Sequence, residues 1–326
     1  MRRNKVGKTG VEVTDVSFGC ASIGNLYREA SEAEAQFVLQ AAWDSKIRYF
    51  DTAPHYGRGL SETRLGKFLF KQARSDYVIS TKVGRVLSPG EEMEEADGFI
   101  NPLPNAVRYD YSGDGIEESL EGSLERLQTT HSDIVFVHDI GKYTHGKANA
   151  EHMEAFLGSG YERLVRLKEK RRIGAFGLGV NENEICLEVM DHGPIDVILL
   201  AGRLTLLDRC AEVELTARCR AEGTSLVLGG VMNSGILATG AVKGATFDYG
   251  PAPERVLEAV RKLEEKSAEF GIPLATAALQ FAKRHPLASS VLIGTAKATS
   301  LKRNVEALAS EMPAQFDAAF EVSVLD

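Results

Sequence analysis

IRYFDTAPHYGRGLSETRLG, residues Ile47–Gly66, reads as a strand, a loop and the start of a helix in one continuous run. Arg48–Asp51 is a short apolar stretch ending on a carboxylate, the loop after it carries Tyr56, and Glu62–Lys71 takes up helical spacing. The same alternation recurs on both sides. Further strand-like runs are Val16–Phe18, Tyr77–Thr81, Ile134–His138, Ala175–Gly179, Val197–Ala201, Ser225–Gly229 and Ser290–Ile293. Helical patterns lie between or after them at Ser31–Asp44, Ile116–Leu127, Tyr161–Lys170, Glu184–Met190, Ala211–Ala221, Pro253–Phe270 and Ser300–Leu308. Strand–helix repetition of this kind argues for parallel strands joined by crossover helices. Eight units close into a barrel, whereas five or six would suggest an open, doubly wound sheet.

The chain has 326 residues, a length open to two domains or to one large α/β barrel. The eight units and the absence of any linker favour one domain over residues 1–326. Hydrophobic residues make up 44%, enough for a sizeable core and too many for a disordered chain. The net charge of -8, with no long basic block, argues against nucleic acid or an anionic membrane surface as a partner. Cys20, Cys186, Cys210 and Cys219 are widely spaced with no CxxC pair, so neither a disulfide framework nor a metal site is expected. No apolar h-region follows the basic N-terminus and no run is long enough to span a membrane, which points to a cytoplasmic protein. Two segments interrupt the alternation. Lys5–Val13, with Gly7 and Gly10, has the form of a short N-terminal hairpin. Residues 84–115 form a long loop with Pro89, Pro102, Pro104, Phe99, Tyr109 and Tyr111, and loops of that length are usually functional.

In a barrel of this kind chemistry gathers at the C-terminal ends of the strands. Asp51 and His138 end their strands there, Lys82 follows the third, and Tyr56 lies just beyond the second. Taken singly, Asp51 could cap a turn, His138 could be a satisfied core histidine and Tyr56 a packing residue. Together they form a proton-transfer device. A tyrosine with an ordinary pKa near 10 needs a nearby ammonium to stabilise its phenolate, a buried ammonium needs a carboxylate, and a neutral histidine can orient the substrate oxygen. Such a group suits hydride transfer at a carbonyl, with Tyr56 moving the proton.

These segments resemble the aldo-keto reductases. Ile47–Gly66 is similar to the first signature of that family, VISTKVG (Val78–Gly84) to its lysine segment and DIVFVHD (Asp133–Asp139) to its histidine segment. The resemblance spans nearly the whole chain. It implies an (α/β)8 TIM barrel and a catalytic tetrad of Asp51, Tyr56, Lys82 and His138.

No GxGxxG opens a helix, so a Rossmann site is not expected. The resemblance instead implies an NAD(P) site holding Cys20, Asn181, Gly230, Val231, Asn233, Gly235, Leu237, Thr295, Lys297, Arg303 and Asn304. Asn181 would contact the nicotinamide amide, Asn304 the adenine, and the backbone N–H groups of Met232–Leu237 the pyrophosphate. The chain departs from the family at Val180, Leu199 and Gly229, where a serine, an amide and a stacking aromatic are usual. Ser300 stands where an arginine often grips a 2′-phosphate, which favours NAD over NADP, although Lys297, Lys302 and Arg303 are close in sequence.

Within the family, GLGVNEN (Gly177–Asn183), LLAGRLTLLD (Leu199–Asp208) and GGVMNSGIL (Gly229–Leu237) resemble the branch of aldose 1-dehydrogenases (L-fucose, L-galactose, D-threo-aldose) and pyridoxal 4-dehydrogenases. That implies oxidation of a sugar or pyridoxal ring hemiacetal to a lactone, under a substrate loop bearing Phe99 and Tyr109. An NADPH-linked reductase of small aldehydes would use the same tetrad. A non-enzymatic scaffold would not require Tyr56 and Lys82 together.

Overall fold

The apolar runs become strands because both of their faces are covered, one by the barrel interior and the other by helices. In the computed structural model, which describes residues 1–321 and 325, eight parallel strands close into a barrel. They are β1 (Val16–Gly19), β2 (Tyr49–Asp51), β3 (Val78–Val83), β4 (Ser132–His138), β5 (Ile173–Val180), β6 (Val197–Ala201), β7 (Ser225–Gly229) and β8 (Ala288–Gly294). Each pairs with its neighbour in sequence, and β8 returns to β1 with Val291 opposite Val16. The expected barrel is therefore the observed one. The expected domain span of 1–326 includes residues 322–324 and 326, which lie outside the described residues.

Two apolar layers hold the barrel. Inside, Tyr49, Ile134, Phe136, Ala175, Val197 and Val227 pack together with Val6 and Val13. Val6 and Val13 come from the N-terminal segment in which Arg3–Lys5 pairs antiparallel with Glu12–Thr14, the expected hairpin. Outside, residues such as Phe18, Phe50, Val135 and Leu178 meet the helices. Each fully buried side chain of this size contributes about 1.5–3 kcal/mol.

The surrounding helices are α1 (Glu32–Asp44), α2 (Leu60–Leu69), α3 (Gly113–Leu127), α4 (Tyr161–Glu169), α5 (Glu184–His192), α6 (Glu214–Glu222), α7 (Glu254–Glu269), α8 (Leu274–Arg284) and α9 (Ala298–Ala309). At the start of α1, Ser31 Oγ accepts from the Glu34 N–H and Glu34 Oε2 accepts from the Ser31 N–H, a capping box. Helix α8 is not among the helices expected from the sequence. Its buried face is made mostly of Ala277, Ala278, Leu279 and Ala282, a weak apolar signal.

Residues 84–115 are not an irregular loop. Arg85–Pro89 pairs antiparallel with Asn105–Tyr109, and Glu95–Ala96 with Phe99–Ile100 near the tip, so the segment is a β-ribbon. Gly84 opens it with φ 99°, and a Cβ there would sit 2.2 Å from the Tyr111 ring, so the turn requires glycine. The expected loop also runs too far, because α3 begins at Gly113 with Ser112 accepting from the Gly115 N–H. No helix among the described residues is long and apolar enough to cross a membrane.

Candidate active site

Side chains alternate along a strand, so Ser80 and Lys82 share one face of β3, and the register sets Asp51 opposite Ser80. The chemistry-bearing groups meet there. Lys82 Nζ donates to Asp51 Oδ2 at 2.7 Å, to the Thr52 carbonyl at 2.9 Å and to the Tyr56 hydroxyl at 3.1 Å. Ser80 Oγ donates to Asp51 Oδ1 at 2.7 Å, so both carboxylate oxygens are engaged. Asp51 is fully buried and Lys82 nearly so. The loop carrying Tyr56 packs tightly on the one after β1: Gly57 has φ 63°, and a Cβ there would lie 2.4 Å from the Gly24 carbonyl oxygen.

Glu62, two residues into α2, is a buried anchor. It accepts from Thr81 Oγ1 at 2.5 Å and from Arg126 Nε at 2.7 Å, tying α2 to β3 and α3 beneath the site. Arg64 of α2 donates to the Ile23 and Ala30 carbonyls and to Asn25 Oδ1. Asn25 in turn donates to the Ile100 carbonyl, so the β1 loop and the ribbon are held together.

His138 ends β4 with its ring edge-on to Tyr56, centroids 5.9 Å apart. The Tyr111 hydroxyl donates to the His138 carbonyl at 2.7 Å and fixes the strand end. Burial, reinforced by Arg85, Lys82 and His55, holds the His138 pKa well below the ordinary histidine value, so its imidazole is neutral at pH 7. Lys82 remains an ammonium: burial pulls its pKa down, but Asp51 and Tyr56 together outweigh that and the net shift is upward. For Tyr56 the balance differs from the expectation that the ammonium would lower its pKa. Burial raises the phenol above its ordinary value by more than Lys82 lowers it. Lys82 limits a rise that desolvation would otherwise make larger.

Tyr56, Lys82, His138, Asn181 and Phe99 line one cavity of about 360 Å³, together with His55, Asp97, Asp139, Leu199, Tyr27, Tyr143 and Tyr249. Asp51 lies beneath it, behind Lys82. A second cavity of about 350 Å³ shares Leu26, Asn181, Ala201 and Tyr249 with the first. Gly230, Val231, Asn233, Gly235 and Asn304 line the second cavity, with Arg203, Met232, Ser234 and Asp248. The other expected residues are placed elsewhere. Cys20 and Leu237 are fully buried and line neither cavity. Thr295, which accepts from the Lys297 N–H, and the exposed Lys297 and Arg303 also lie outside both linings. Tyr109 packs on His145, centroids 4.8 Å apart, and on His152, away from the first cavity.

The turn after β7 is largely closed on itself. The N–H groups of Asn233, Gly235, Ile236 and Leu237 already bond to carbonyls of Gly230, Met232 and Asn233. Within Met232–Leu237 only the Met232 and Ser234 N–H groups have no such bond among the described residues, fewer donors than expected.

Several cavity residues were not anticipated. His55 immediately precedes Tyr56 and Asp139 immediately follows His138, so both lie inside segments already singled out. Arg203 bridges the Asn181 carbonyl, Asp208 and Asp248, binding the segment after β6 to the tight turn around Asp248 and Tyr249. Tyr27 and Tyr249 come from two separate loops and Tyr143 from the short helix Lys142–His145, with no shared local pattern. Among the described residues no group of three or more His, Cys, Asp or Glu side chains is placed to hold a metal ion.

A closed parallel barrel with a lysine, a tyrosine, a carboxylate and a histidine at its C-terminal strand ends defines a class of oxidoreductase barrel. The chain belongs to the Aldo/keto reductase family, whose family model matches residues 15–321. It is 38% identical over 325 residues to a pyridoxal 4-dehydrogenase from Microbacterium luteolum, covering 96% of this chain and 95% of that protein. It is 33% identical over 311 residues to a D-threo-aldose 1-dehydrogenase from a Pseudomonas species, covering 94% and 92%. Among solved structures, the holo form of an aldo-keto reductase from Bacillus halodurans superposes with a TM-score of 0.78 at 24% identity, covering 98% of this chain and 95% of that one.

Proposed function

We propose that this chain is a single-domain NAD(P)-dependent dehydrogenase that oxidises a ring hemiacetal, of an aldose or of pyridoxal, to its lactone. The observation that carries the reading is the Tyr56 hydroxyl 3.1 Å from Lys82, itself anchored on Asp51, with neutral His138 beside them in one cavity.

The residues of the adjoining cavity fit a nicotinamide dinucleotide. Asn181 stands between the two cavities, and Gly230, with φ 60°, lets the backbone after β7 turn closely along the second. The N-terminus of α9 has no side-chain cap, which leaves its first N–H groups free for a phosphate. A bound nicotinamide supplies the acceptor for the hydride leaving C1 of the sugar, or C4′ of pyridoxal. Tyr56, as phenolate, takes the proton of the hemiacetal hydroxyl, so loss of a proton and a hydride leaves the lactone carbonyl. Lys82 stabilises the phenolate, Asp51 keeps Lys82 charged and in position, and neutral His138, edge-on to Tyr56, orients the reacting oxygen. Phe99 presents an apolar face beside Tyr56, ring centroids 6.0 Å apart. Ser300, together with the exposure of Lys297, Lys302 and Arg303, supports NAD over NADP.

A panel of L-fucose, L-galactose, D-threo-aldoses and pyridoxal, assayed with NAD+ and NADP+ in parallel, tests the proposal. Lactone formation is expected, with NAD+ the better acceptor. If NADPH-linked reduction of small aldehydes is the only activity seen, the chain is a reductase using the same four residues.

A further inference from the structure

We infer that Asp139 is a specificity-determining residue that accepts a hydrogen bond from a hydroxyl on the substrate ring, away from the reacting carbon. The inference rests on the reading of the first cavity as the substrate site.

Three observations converge on Asp139. It lines the cavity that holds Tyr56, Lys82 and His138. Its backbone has φ 45°, in the left-handed region that Asp and Asn adopt more readily than most side chains, which sets its direction apart from that of His138. Its carboxylate is held by a dedicated partner: Arg85, at the foot of the ribbon and itself almost fully buried, donates from Nη2 to Asp139 Oδ2 at 2.8 Å. His138 Nε2 lies 3.2 Å from that same oxygen. Both contacts use Oδ2. Oδ1 has no hydrogen-bond partner among the described residues, although a carboxylate oxygen is a strong acceptor.

The rest of the lining matches this polarity. Among the described residues Lys82 is the one cationic side chain facing the cavity, and its three donor positions are taken up by Asp51, Thr52 and Tyr56. Asp97 is the other carboxylate of the lining, with Arg58 at 3.6 Å. The cavity therefore offers acceptors held in place from behind by arginines, an arrangement suited to a neutral ring that carries several hydroxyl donors. A bare ring hemiacetal would leave the Asp139 oxygen unpaired on binding, and a site built to bond a hydroxyl discriminates strongly against the analogue that lacks it.

The test compares the best substrate from a panel of aldopyranoses with 2-hydroxytetrahydropyran, a ring hemiacetal with no other hydroxyl. The wild-type enzyme should favour the sugar. Asp139→Asn keeps the size and tolerates the left-handed backbone, and it should cut kcat/KM for the sugar about ten- to a hundredfold, the range for one hydrogen bond to a charged acceptor. That loss should fall mainly on KM and be several-fold larger for the sugar than for the bare ring, whose own rate reports any effect passed on through His138, with cofactor affinity unchanged. If the single variant fails to fold, Arg85→Met with Asp139→Asn removes the stranded guanidinium and should show the same loss of preference. Equal kcat/KM for the two rings in the wild type, or a sugar preference that survives in the variant, overturns the role of Asp139 while leaving the dehydrogenase reading intact. Failure of the wild type to oxidise either ring overturns the role of Asp139, and failure with pyridoxal as well overturns the dehydrogenase reading.

Discussion

Replacing Lys82 with methionine probes how the buried ammonium sets the tyrosine's basicity. Lys82 Nζ is 3.1 Å from the Tyr56 oxygen. At that distance and an effective dielectric of about 20, an ammonium–phenolate pair is worth about 5 kcal/mol. That corresponds to nearly four pKa units on the phenol. The change also strands Asp51, but a lone buried carboxylate takes up a proton, which spares Tyr56 most of the added repulsion. Burial already holds the Tyr56 pKa above its ordinary value, so Lys82→Met raises it further. Oxidation needs the phenolate. The rising limb of kcat against pH should therefore move to higher pH, and turnover at pH 8 should fall about a thousandfold to ten-thousandfold. Cofactor binding should be unaffected, because Lys82 does not line the second cavity. Hemiacetal oxidation followed by reduced-nicotinamide absorbance, with a cofactor titration by fluorescence, measures both. A variant within tenfold of wild type at pH 8, or a rising limb that stays in place, would refute this reasoning.

Three further outcomes follow. His138 is held neutral through the range where free histidine titrates, so kcat should show no inflection near pH 6.5 that disappears in His138→Gln; an inflection that does disappear contradicts its neutrality. Glu62→Gln leaves Arg126 without its partner beneath the site, and since Arg126 is only 19% exposed the loss should be about 3 kcal/mol in chemical denaturation, with kcat in the remaining folded enzyme little changed. Cys210 is exposed, yet burial of its sulfur and then Asp208 push the thiol up to about 11, so it should alkylate more slowly at pH 8 than an unperturbed cysteine; rapid labelling would falsify that environment.

The barrel is legible because its strands are continuous apolar runs buried on both faces, and each expected run agrees with its strand to within two residues at either end. The ribbon over residues 84–115 left no such trace. Ser88 and Arg108 in its paired strands face solvent, the alternation over Asn105–Arg108 runs only between half-buried and exposed side chains, and Gly84 and the prolines read equally well as an open loop. Helix α8 was hidden by its alanine-rich face. The convergence of Asp51, Tyr56, Lys82 and His138 could be anticipated because they sit on or next to strand ends, where sequence order is also spatial order. Asp139 was in plain view beside His138, but its left-handed turn and its pairing with Arg85 depend on a ribbon residue more than 50 positions away. Tyr143, Tyr249 and Arg203 became recognisable only once separate segments were brought to the two adjoining cavities. Cys20 and Leu237 lie close in sequence to the cavities, but their side chains turn into the core, a direction that sequence order does not reveal.

Tyr56→Phe, compared with the wild type for NAD+ affinity and for lactone formation from ring hemiacetals, tests the central claim most directly. The predicted result is unchanged NAD+ binding with turnover lost. Lactone formation by Tyr56→Phe at a rate near that of the wild type would contradict it.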